Sequence, residues 1–392
     1  MSLKEAALQL HKDNRGKISV ESKVPVRNRE ELSLAYTPGV AEPCRQIDAN
    51  RDDVYLYTAK GNMVAVVSDG SAVLGLGNIG PEAALPVMEG KAILFKSFAG
   101  VDAFPICLDT QDSDEIVKTV KYLAPSFGGV NLEDISAPRC FEIEARLKAE
   151  LDIPVFHDDQ HGTAVIVLAA IYNSLKLVNK QLENLKVVVN GGGAAGIAIS
   201  KILLQAGVKD LYIVDKNGVI CQDDPDSMLN WAHEEMAAVT NIPKIKGSLA
   251  DVIKNVDVFI GVSRPNLVTR EMVASMNEKA IVFAMANPDP EILPGEALAG
   301  GAMIVGTGRS DYPNQVNNVL AFPGIFRGAL DVRAKDINDA MKIAAARAIA
   351  SCVPEEKLSP DYILPAAFDP IVSTRVAEAV ARAAIESGVA KA

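Results

Sequence analysis

Short apolar runs of strand length alternate with helical stretches along almost the whole chain. The runs occupy residues 63–69, 103–109, 154–159, 185–190, 211–215, 256–262, 279–286 and 302–308. This alternation is typical of parallel βαβ units, so the sequence predicts an α/β fold with parallel sheets. The residues from Ile337 onward are predicted to be mainly helical and to cover a sheet or pack back on the first half of the chain.

Size and charge narrow the class of protein. With 392 residues, of which 49% are apolar and 23% charged, the chain is long enough for a globular protein of two or more domains. The net charge of −11 and the isoelectric point near 5.0 argue against nucleic acid or an anionic membrane surface as a partner. A small anionic ligand remains compatible with these values if a metal ion and helix N-termini make one pocket locally positive.

Cysteine usage and the N-terminal residues indicate a cellular compartment. The cysteines are odd in number and show no close pairing, so reduced thiols in a cytosolic protein are the simplest interpretation. They are Cys44, Cys107, Cys140, Cys221 and Cys352. Residues 1–20 contain no apolar core of signal-peptide length, and no uninterrupted apolar run approaches a membrane span. We therefore expect a cytoplasmic protein.

The pattern G-x-G-x-x-G occurs twice, and one copy has the surroundings that dinucleotide binding requires. It follows the strand-like run 185–190 and opens an amphipathic helix, and the next strand ends in Asp215. Gly191 would make the tight turn, Gly193 would let the backbone approach a pyrophosphate, and Gly196 would permit close helix packing. The alternative is a strand-to-helix turn without a nucleotide. The residues assigned to cofactor binding are Gly191, Gly192, Gly193, Ala194, Ala195, Gly196 and Asp215.

The other copy, residues 75–80, precedes a helix that starts at Pro81, but no acid closes a second strand at the expected distance. We interpret it as a loop whose backbone approaches a ligand or the partner domain.

Asp215 bears on the choice between NAD and NADP. Its carboxylate would accept hydrogen bonds from ribose hydroxyls and repel a 2′-phosphate, which favours NAD. Lys216 beside it could accommodate that phosphate, so NADP is the alternative cofactor.

Motif position alone places the domain boundary, because no repeat, low-complexity tract or Pro/Ser-rich linker is visible. We expect it near residue 160, before a long apolar helix. Residues 1–160 would form an N-terminal α/β domain. Residues 161–392 would form a Rossmann-type, doubly wound parallel-sheet domain that binds the dinucleotide and includes the C-terminal helices.

Four carboxylates lie at two successive junctions between predicted elements. Glu133 and Asp134 precede one predicted helix, and Asp158 and Asp159 come at the end of the predicted strand 154–159. Because parallel α/β folds bind ligands at the carboxyl ends of strands, these acids are expected to converge and hold a hard divalent cation. Helix capping with solvated loop charge is an alternative of equal weight.

His157 and His161 flank these acids. Since Mg²⁺ and Mn²⁺ prefer oxygen ligands, we interpret both histidines as supporting or structural residues.

A redox cofactor beside a divalent cation suits the oxidation of a hydroxy acid whose product the metal polarises, and such a reaction needs proton carriers. Tyr36 lies between a helix-like stretch and a Pro-Gly turn, and Lys91 lies on the helix that follows residues 75–80. By residue type alone, each is more often a surface or packing residue than a catalytic one.

Ordered sequence strings give the chain a family resemblance. They are AYTPGVAEPC, SDGSAVLGLGNIGPEAALPVMEGKA, NLEDI, VFHDDQHGTA, the nucleotide fingerprint, ANPDP and NQVNNVLAFPG. In this order, and over nearly the whole chain, they resemble the malic enzymes, especially the short bacterial form. The resemblance makes residues 1–160 the substrate and metal domain.

The resemblance also implies a role for each candidate residue. Tyr36 would be the general acid, and Lys91 the general base, neutral when poised by burial and neighbouring charge. The metal ligands would be Glu133, Asp134 and Asp159, with Asp158 as a supporting acid. The substrate contacts would come from Lys91, Asn287 and Asn318, with Asn317 as a competitor for the last role.

The activity implied by the resemblance is oxidative decarboxylation of L-malate to pyruvate and CO₂, with reduction of NAD or NADP and with Mg²⁺ or Mn²⁺ as the metal. Two alternatives stay open: a non-redox, malolactic-like decarboxylase that retains NAD, and a nucleotide-sensing binding protein. The expected partner is a small molecule rather than nucleic acid or a membrane, and the expected assembly is a homodimer.

Overall fold

The computed structural model describes residues 2–391 and shows an α/β structure built on two parallel sheets. The strands are β1 (Met63–Ser68), β2 (Asp102–Cys107), β3 (Gly129–Leu132), β4 (Val155–His157), β5 (Lys186–Asn190), β6 (Asp210–Asp215), β7 (Gly218–Val219), β8 (Val258–Gly261), β9 (Ile281–Ala284) and β10 (Ile304–Thr307). Every predicted strand forms, and each observed end lies within two residues of the predicted one. The α/β prediction is confirmed.

Helices fill most of the remaining chain. They are α1 (Leu3–Asn14), α2 (Arg29–Ala35), α3 (Ala41–Ala49), α4 (Val54–Tyr57), α5 (Pro81–Ala99), α6 (Ser113–Leu123), α7 (Arg139–Glu150), α8 (Asp158–Val178), α9 (Ala194–Ala206), α10 (Trp231–Ala237), α11 (Leu249–Val252), α12 (Arg270–Ala274), α13 (Pro294–Ala299), α14 (Phe322–Asp331), α15 (Asp339–Ser351) and α16 (Pro370–Glu386).

The first sheet has the strand order β2-β1-β3-β4, and all its neighbouring strands are parallel. Strand β1, with the sequence MVAVVS, is almost wholly apolar, as expected of a strand that is buried on both faces. Strand β3 is absent from the sequence prediction, although all four of its residues are buried. Because Leu132 of β3 pairs with His157 of β4, the residues that follow these two strands emerge side by side.

The second sheet has the strand order β10-β9-β8-β5-β6-β7, parallel except for the short antiparallel edge strand β7. The chain enters at β5, adds β6 on one side and then returns to place β8 on the other side. Strand order therefore reverses beside β5, and a crevice opens at the carboxyl ends of β5 and β8. This is the predicted Rossmann-type, doubly wound arrangement, with the glycine fingerprint in the turn between β5 and α9.

Helix α8 runs through the core. By length and composition alone its 21 residues could cross a membrane, but 67% of its most apolar window is buried inside the protein. It packs against α9 and α15, and one apolar core joins side chains from both sheets, such as Val66 and Val187. The predicted boundary near residue 160 falls in the first turn of this helix and stays a prediction.

The helices that follow Ile337 pack back on the first half of the chain, as the sequence predicts: α15 lies against α8, and α16 lies against α14 and α5. Phe322 and Phe326 of α14 meet Phe95 of α5 edge-on, with ring centroids 4.8 and 5.2 Å apart. Such aromatic contacts fix α14 beside the helix that carries Lys91.

Residues 2–59, which we term the N-terminal arm, contain no buried residue. Every hydrogen bond and ion pair recorded for residues 25–50 ends on another residue of 25–53. Nearer the start of the arm, Lys17 Nζ donates to the carbonyl of Pro86 on α5 at 2.6 Å. The large apolar side chains exposed on the arm are Leu3, Leu8, Leu10, Ile18, Val20, Val24, Val26, Leu32, Leu34, Tyr36, Leu56 and Tyr57.

Candidate active site

Three carboxylates meet where β3 and β4 end. Glu133 and Asp134 follow β3, Asp159 lies in the first turn of α8, and one oxygen from each lies within 4.8 Å of the others. The predicted strand 154–159 is too long: β4 ends at His157, and Asp158 and Asp159 open α8. The positive end of the α8 dipole therefore faces the cluster and favours its negative charge.

Backbone geometry ties the two halves of the cluster together. The N–H of Asp134 donates to Asp159 Oδ2 at 2.8 Å, and the carbonyl of Asp134 accepts from the N–H of Ala72 at 2.9 Å. Asp134 has a φ of 55°, a left-handed conformation that side chains other than glycine adopt at some cost. The loop after β3 is thus held in a conformation that presents the Asp134 carboxylate to Asp159.

The carboxylates lack a counter-charge that would fully offset their burial. Burial raises the pKa of Asp134, and the nearby carboxylates Asp159 and Glu133 raise it further. Burial likewise raises the pKa values of Glu133 and Asp159, although Lys91 opposes both shifts. Asp134 Oδ2 is buried with no hydrogen-bond partner among residues 2–391. A divalent cation with oxygen ligands would supply both the charge and the partner, so this donor set fits Mg²⁺ or Mn²⁺.

Lys91 lies beside these acids on the buried face of α5, with 7% of its surface exposed. Its Nζ is 2.9 Å from Glu133 Oε1 and 2.6 Å from Asp158 Oδ2. Burial lowers the pKa of Lys91, but Asp158 and Glu133 raise it more, so the pKa lies above that of an ordinary lysine. The neutral lysine expected from the sequence stays a prediction, because the charge of the amine depends on the charge of the two carboxylates beside it.

Asp158 is fully buried and binds Lys91 and Asn318 rather than capping α8. Asn318 Nδ2 donates to Asp158 Oδ2 at 2.5 Å. A Cβ atom at Gly162, one turn further along α8, would collide with Asp158 Oδ1. The glycine in HDDQHG thus leaves the space that the Asp158 carboxylate needs to face α5.

A second concave site lies at the crevice of the Rossmann-type sheet. Its volume is about 410 Å³, and its lining includes Asn190, Gly191, Asp215, Lys216, Ser263 and Arg264. Gly191 has a φ of 126°, and a Cβ at Gly196 would collide with the carbonyl of Gly191, so both glycines are required by backbone geometry. Space is open around the Cα of Gly193, where a pyrophosphate would approach the N-terminus of α9.

Two family models match the chain: the malic enzyme N-terminal domain over residues 15–148 and the malic enzyme NAD binding domain over residues 160–385. The chain belongs to the malic enzyme family. It is 64% identical to the bifunctional malic/malolactic enzyme of Bacillus subtilis (strain 168), in an alignment that covers 100% of this chain and 95% of that protein.

Other members of the malic enzyme family match closely as well. The NAD-dependent malic enzyme of Geobacillus stearothermophilus is 60% identical, over 96% of this chain and 78% of that protein. The crystal structure of the malic enzyme from Pyrococcus horikoshii superposes with a TM-score of 0.96 at 53% identity, covering 100% of this chain and 92% of that one. Relatives named NAD-dependent and NADP-dependent both occur, so family membership leaves the cofactor preference open.

Of the other predicted site residues, Tyr36 lies outside the Lys91 cluster. Tyr36, at the end of α2, is 65% exposed on the N-terminal arm. The carbonyl of Asn287 would lie 2.7 Å from a Cβ at Gly75, so residues 75–80 approach the second half of the chain, as predicted. The side chain of Asn317 accepts from the N–H of Val319 and so caps the turn that follows it. The side chain of Asn318, in contrast, faces Asp158.

Sequence reasoning missed Glu144, a buried acid on α7. It accepts from the N–H of His157 at 3.1 Å and faces His161 Nε2 at 2.8 Å. Burial raises the pKa of Glu144, but His161 lowers it more, to about 2. His157 is fully buried, and burial lowers its pKa to about 4. The sequence does contain a sign of this buried acid. Glu144 lies at helical spacing from Cys140 and Leu147, on the otherwise apolar face of α7.

Proposed function

We propose that this protein catalyses the oxidative decarboxylation of L-malate to pyruvate and CO₂ with reduction of NAD(P), using a divalent metal ion. The observation that carries the proposal is the contact of Lys91 with Glu133 and Asp158 beside the cluster of three carboxylates. A buried amine next to oxygen ligands is placed to move the proton of a hydroxyl group bound there. Membership of the malic enzyme family supports the same reaction.

Glu133, Asp134 and Asp159 would hold the ion. When bound, Mg²⁺ or Mn²⁺ would supply Lewis-acid stabilisation of negative charge on the C2 oxygen of malate. Asp158 would stay outside this ligand set. It does not belong to the group whose oxygens lie within 4.8 Å of one another, and its Oδ2 accepts from Lys91 and Asn318.

Lys91 would take the proton of the C2 hydroxyl as C2 is oxidised. It must first lose its own proton, and Asp158 Oδ2 is the adjacent acceptor. The 2.6 Å contact between the two groups allows this transfer without solvent. NAD(P), when bound, would supply the oxidant for C2.

Asn287 and Asn318 would bind the substrate through their amide groups. A side-chain amide donates two hydrogen bonds without adding charge, which suits a carboxylate ligand in a pocket that already holds a metal. Asn318 supports this role by lying within hydrogen-bond distance of Asp158, next to Lys91.

Tyr36, the proposed acid that protonates C3 after CO₂ leaves, would act from a second copy of the chain. Tyr36 is 65% exposed and Lys91 only 7%, and the apolar side chains of the N-terminal arm lack cover in one protomer. Leu74 and Leu76, in the loop that follows β1, expose 67% and 68% of their surface and offer an apolar patch to such an arm. We therefore favour a homodimer in which each arm covers its partner's site and brings Tyr36 to it.

The crevice between β5 and β8 would bind the dinucleotide through residues 191–196 and Asp215. Asp215 supports NAD as the preferred cofactor because its carboxylate faces the groove as a hydrogen-bond acceptor. Lys216 and Arg264 line the same groove, and their positive charge keeps NADP as the alternative.

The same proposal divides the chain into a substrate and metal domain, residues 1–160, and a cofactor domain, residues 161–392. The high content of acidic residues and the unpaired cysteines support a cytoplasmic location and a small molecule, not nucleic acid or a membrane, as the partner.

A second candidate activity is the non-redox conversion of malate to lactate with retained NAD. The observation that favours it is the 64% identity to a protein named as a bifunctional malic/malolactic enzyme. The same proton carriers would serve the oxidative and the non-redox reaction. The two reactions differ in whether NADH leaves the protein or stays bound until the product is released.

The proposal is tested by following NAD and NADP reduction in a purified sample with L-malate and Mn²⁺, before and after chelation of the metal. Asp159→Asn should lower kcat/KM by about a hundredfold or more, because one charged oxygen ligand is lost where negative charge develops, yet NADH should still bind. Asp152→Asn, an exposed acid in the loop before β4, is the matched control. Full activity of Asp159→Asn in Mn²⁺ would reject the metal site.

A further inference from the structure

His233 on α10 lies directly beneath the glycine loop of the cofactor groove. Only 1% of its surface is exposed, although it is an ionisable residue. Its Nε2 is 2.8 Å from the carbonyl oxygen of Gly192 and 3.7 Å from Asp215 Oδ2. It therefore contacts both parts of the site that would recognise a dinucleotide, namely the loop that faces the pyrophosphate and the acid that faces the ribose.

The hydrogen bonds of His233 determine which ring nitrogen carries the proton. The backbone N–H of Leu229 points at Nδ1, so Nδ1 must be the acceptor. Nε2 then carries the hydrogen in the neutral ring and donates it to the Gly192 carbonyl. The N–H of His233 itself is held by the side chain of Asn230, which caps α10.

This donor fixes the orientation of one peptide unit in the loop. In a trans peptide the carbonyl of one residue and the N–H of the next point in opposite directions. Because the Gly192 carbonyl points inward to His233, the Gly193 N–H is turned outward to the N-terminus of α9, and it has no acceptor among the described residues. A Cβ at Gly192 would lie 2.7 Å from His233 Nε2, so this approach requires glycine.

The imidazole ring of His233 also packs against the Asp215 carboxylate. Asp215 Oδ1 accepts from the N–H of Lys216 at 2.8 Å, while Oδ2 is turned toward His233. Because Oδ1 is held by the Lys216 N–H and Oδ2 packs against the imidazole ring at 3.7 Å, the carboxylate keeps the orientation in which it can accept from a ribose diol.

We infer that His233 is a positioning residue for the dinucleotide, which fixes the Gly192 peptide and the Asp215 carboxylate and thereby sets NAD affinity and the preference over NADP. This inference rests on the proposed NAD(P) function. It assigns His233 no contact with substrate or reacting atoms.

Substitutions at His233 can separate the donor from the bulk of the ring. His233→Gln places an amide N–H close to the position of Nε2, whereas His233→Asn keeps an acceptor for the Leu229 N–H but cannot reach Gly192. His233→Phe keeps the ring volume without either polar atom. Thr240→Val is the matched control, since Thr240 is equally buried just beyond α10 and donates to Met236 at 2.7 Å, without contacting the loop.

The first measurement is the Kd for NADH and NADPH by fluorescence titration of the full chain without malate, so that the result does not depend on turnover. We expect the Kd for NADH to rise about tenfold in His233→Asn and His233→Phe, the loss associated with one hydrogen bond. His233→Gln and Thr240→Val should stay close to the wild-type value. In turnover, KM for NAD should rise while kcat is kept.

The ratio of NADP to NAD affinity separates the proposed role from a general loss of protein stability, because such a loss would weaken the binding of both cofactors and leave their ratio unchanged. It should rise in His233→Asn, because a freer Asp215 repels a 2′-phosphate less. In an Asp215→Ser background the same substitution should leave the ratio unchanged, since the group through which His233 acts has gone. His233→Asn carries the test if the phenylalanine variant fails to fold.

An unchanged Kd for NADH in a folded His233→Asn variant, or a His233→Gln variant as impaired as His233→Asn, would overturn the inference. Wild-type protein that binds neither NADH nor NADPH would contradict the proposed function, and the inference with it.

Discussion

Lys91 and Tyr36 would act at different moments of the proposed reaction, and their surroundings differ accordingly. Lys91 is buried between Glu133 and Asp158, so its proton can pass to a carboxylate without entering solvent. Tyr36 is exposed on the N-terminal arm, where its hydroxyl has access to water until the arm is covered. A base used during oxidation and an acid used after CO₂ leaves fit these two environments.

The two residues should therefore fail at different steps when they are replaced. Lys91→Ala should slow single-turnover NADH formation from malate by about a hundredfold or more, the usual contribution of a positioned acid or base. Tyr36→Phe should leave that step nearly intact and impair protonation of C3, which solvent deuterium incorporation into pyruvate reports. Tyr122→Phe, an exposed tyrosine on α6, is the control. Equal loss of NADH formation in both variants, with stereospecific deuteration retained in Tyr36→Phe, would show that the acid is wrongly assigned.

At the residue scale, the sequence could predict which acids converge but not what they contact. Glu133, Asp134 and Asp159 follow neighbouring parallel strands, and strand ends share one sheet edge whatever the details of the fold. Lys91 contacts two carboxylates that lie 42 and 67 positions away in sequence, and no local pattern shows these contacts. His233 belongs to no motif, because its partner Gly192 lies 41 positions away, whereas Glu144 could have been found as an acid on the apolar face of α7.

At the element scale, the strand predictions are accurate where an apolar run is long. They fail for a very short strand, and they fail where polar residues follow the apolar run. Strand β3 is only four residues, GVNL, and is stabilised by pairing with β1 and β4 on both sides. The strand predicted for β4 included Asp158 and Asp159, but these two residues begin α8. Tertiary pairing decides both cases, and pairing partners cannot be read from a local pattern.

The first turn of α8 gives a test at this scale. Gly162→Ala adds one methyl group that would collide with Asp158 Oδ1, so it should displace the Asp158 carboxylate and with it the amine of Lys91. We expect kcat to fall by about tenfold or more while the Kd for NADH is kept, since an error of about 1 Å in a reacting group costs that much or more. Gly295→Ala on α13, where a Cβ meets open space, is the control. Wild-type kcat in Gly162→Ala would show that the position of Asp158 does not matter.

At the scale of the whole molecule, the homodimer proposal can be tested by mixing inactive variants. If Tyr36 serves its partner's site, a dimer of one Tyr36→Phe chain and one Lys91→Ala chain contains one site in which both proton carriers are intact. Random exchange of subunits should then restore about one quarter of the wild-type rate of pyruvate formation. If Tyr36 acts within its own chain, no site in the mixture is complete, and activity that stays at the level of the separate variants would contradict the shared site.

The carboxylate cluster also makes stability depend on pH and metal. Burial raises the pKa of Asp159 to about 6 and that of Asp134 to about 9, above their values in the unfolded chain. A group whose pKa is raised by folding stabilises the folded state below its unfolded pKa, and this contribution is lost as the pH rises through the folded pKa. Without metal, the free energy of unfolding should therefore fall as the pH rises from about 6 to 9.

Urea unfolding at both ends of this pH range, with a chelator or with Mg²⁺, measures the effect. Mg²⁺ should restore most of the lost stability, because it binds the ionised carboxylates of the folded state. Asp159→Asn should show a weaker dependence on both pH and metal. Stability of the chelated protein that increases over this range would contradict the cluster as described.

The most direct test of the proposed reaction is the product balance from ¹³C-labelled L-malate with Mn²⁺ and NAD, followed by NMR together with NADH absorbance. Oxidative decarboxylation predicts equal amounts of pyruvate, CO₂ and NADH, and loss of all three in Lys91→Ala. Lactate formed without net NADH would show that the malolactic reaction is the activity, and malate left unchanged with every metal and cofactor would contradict the account.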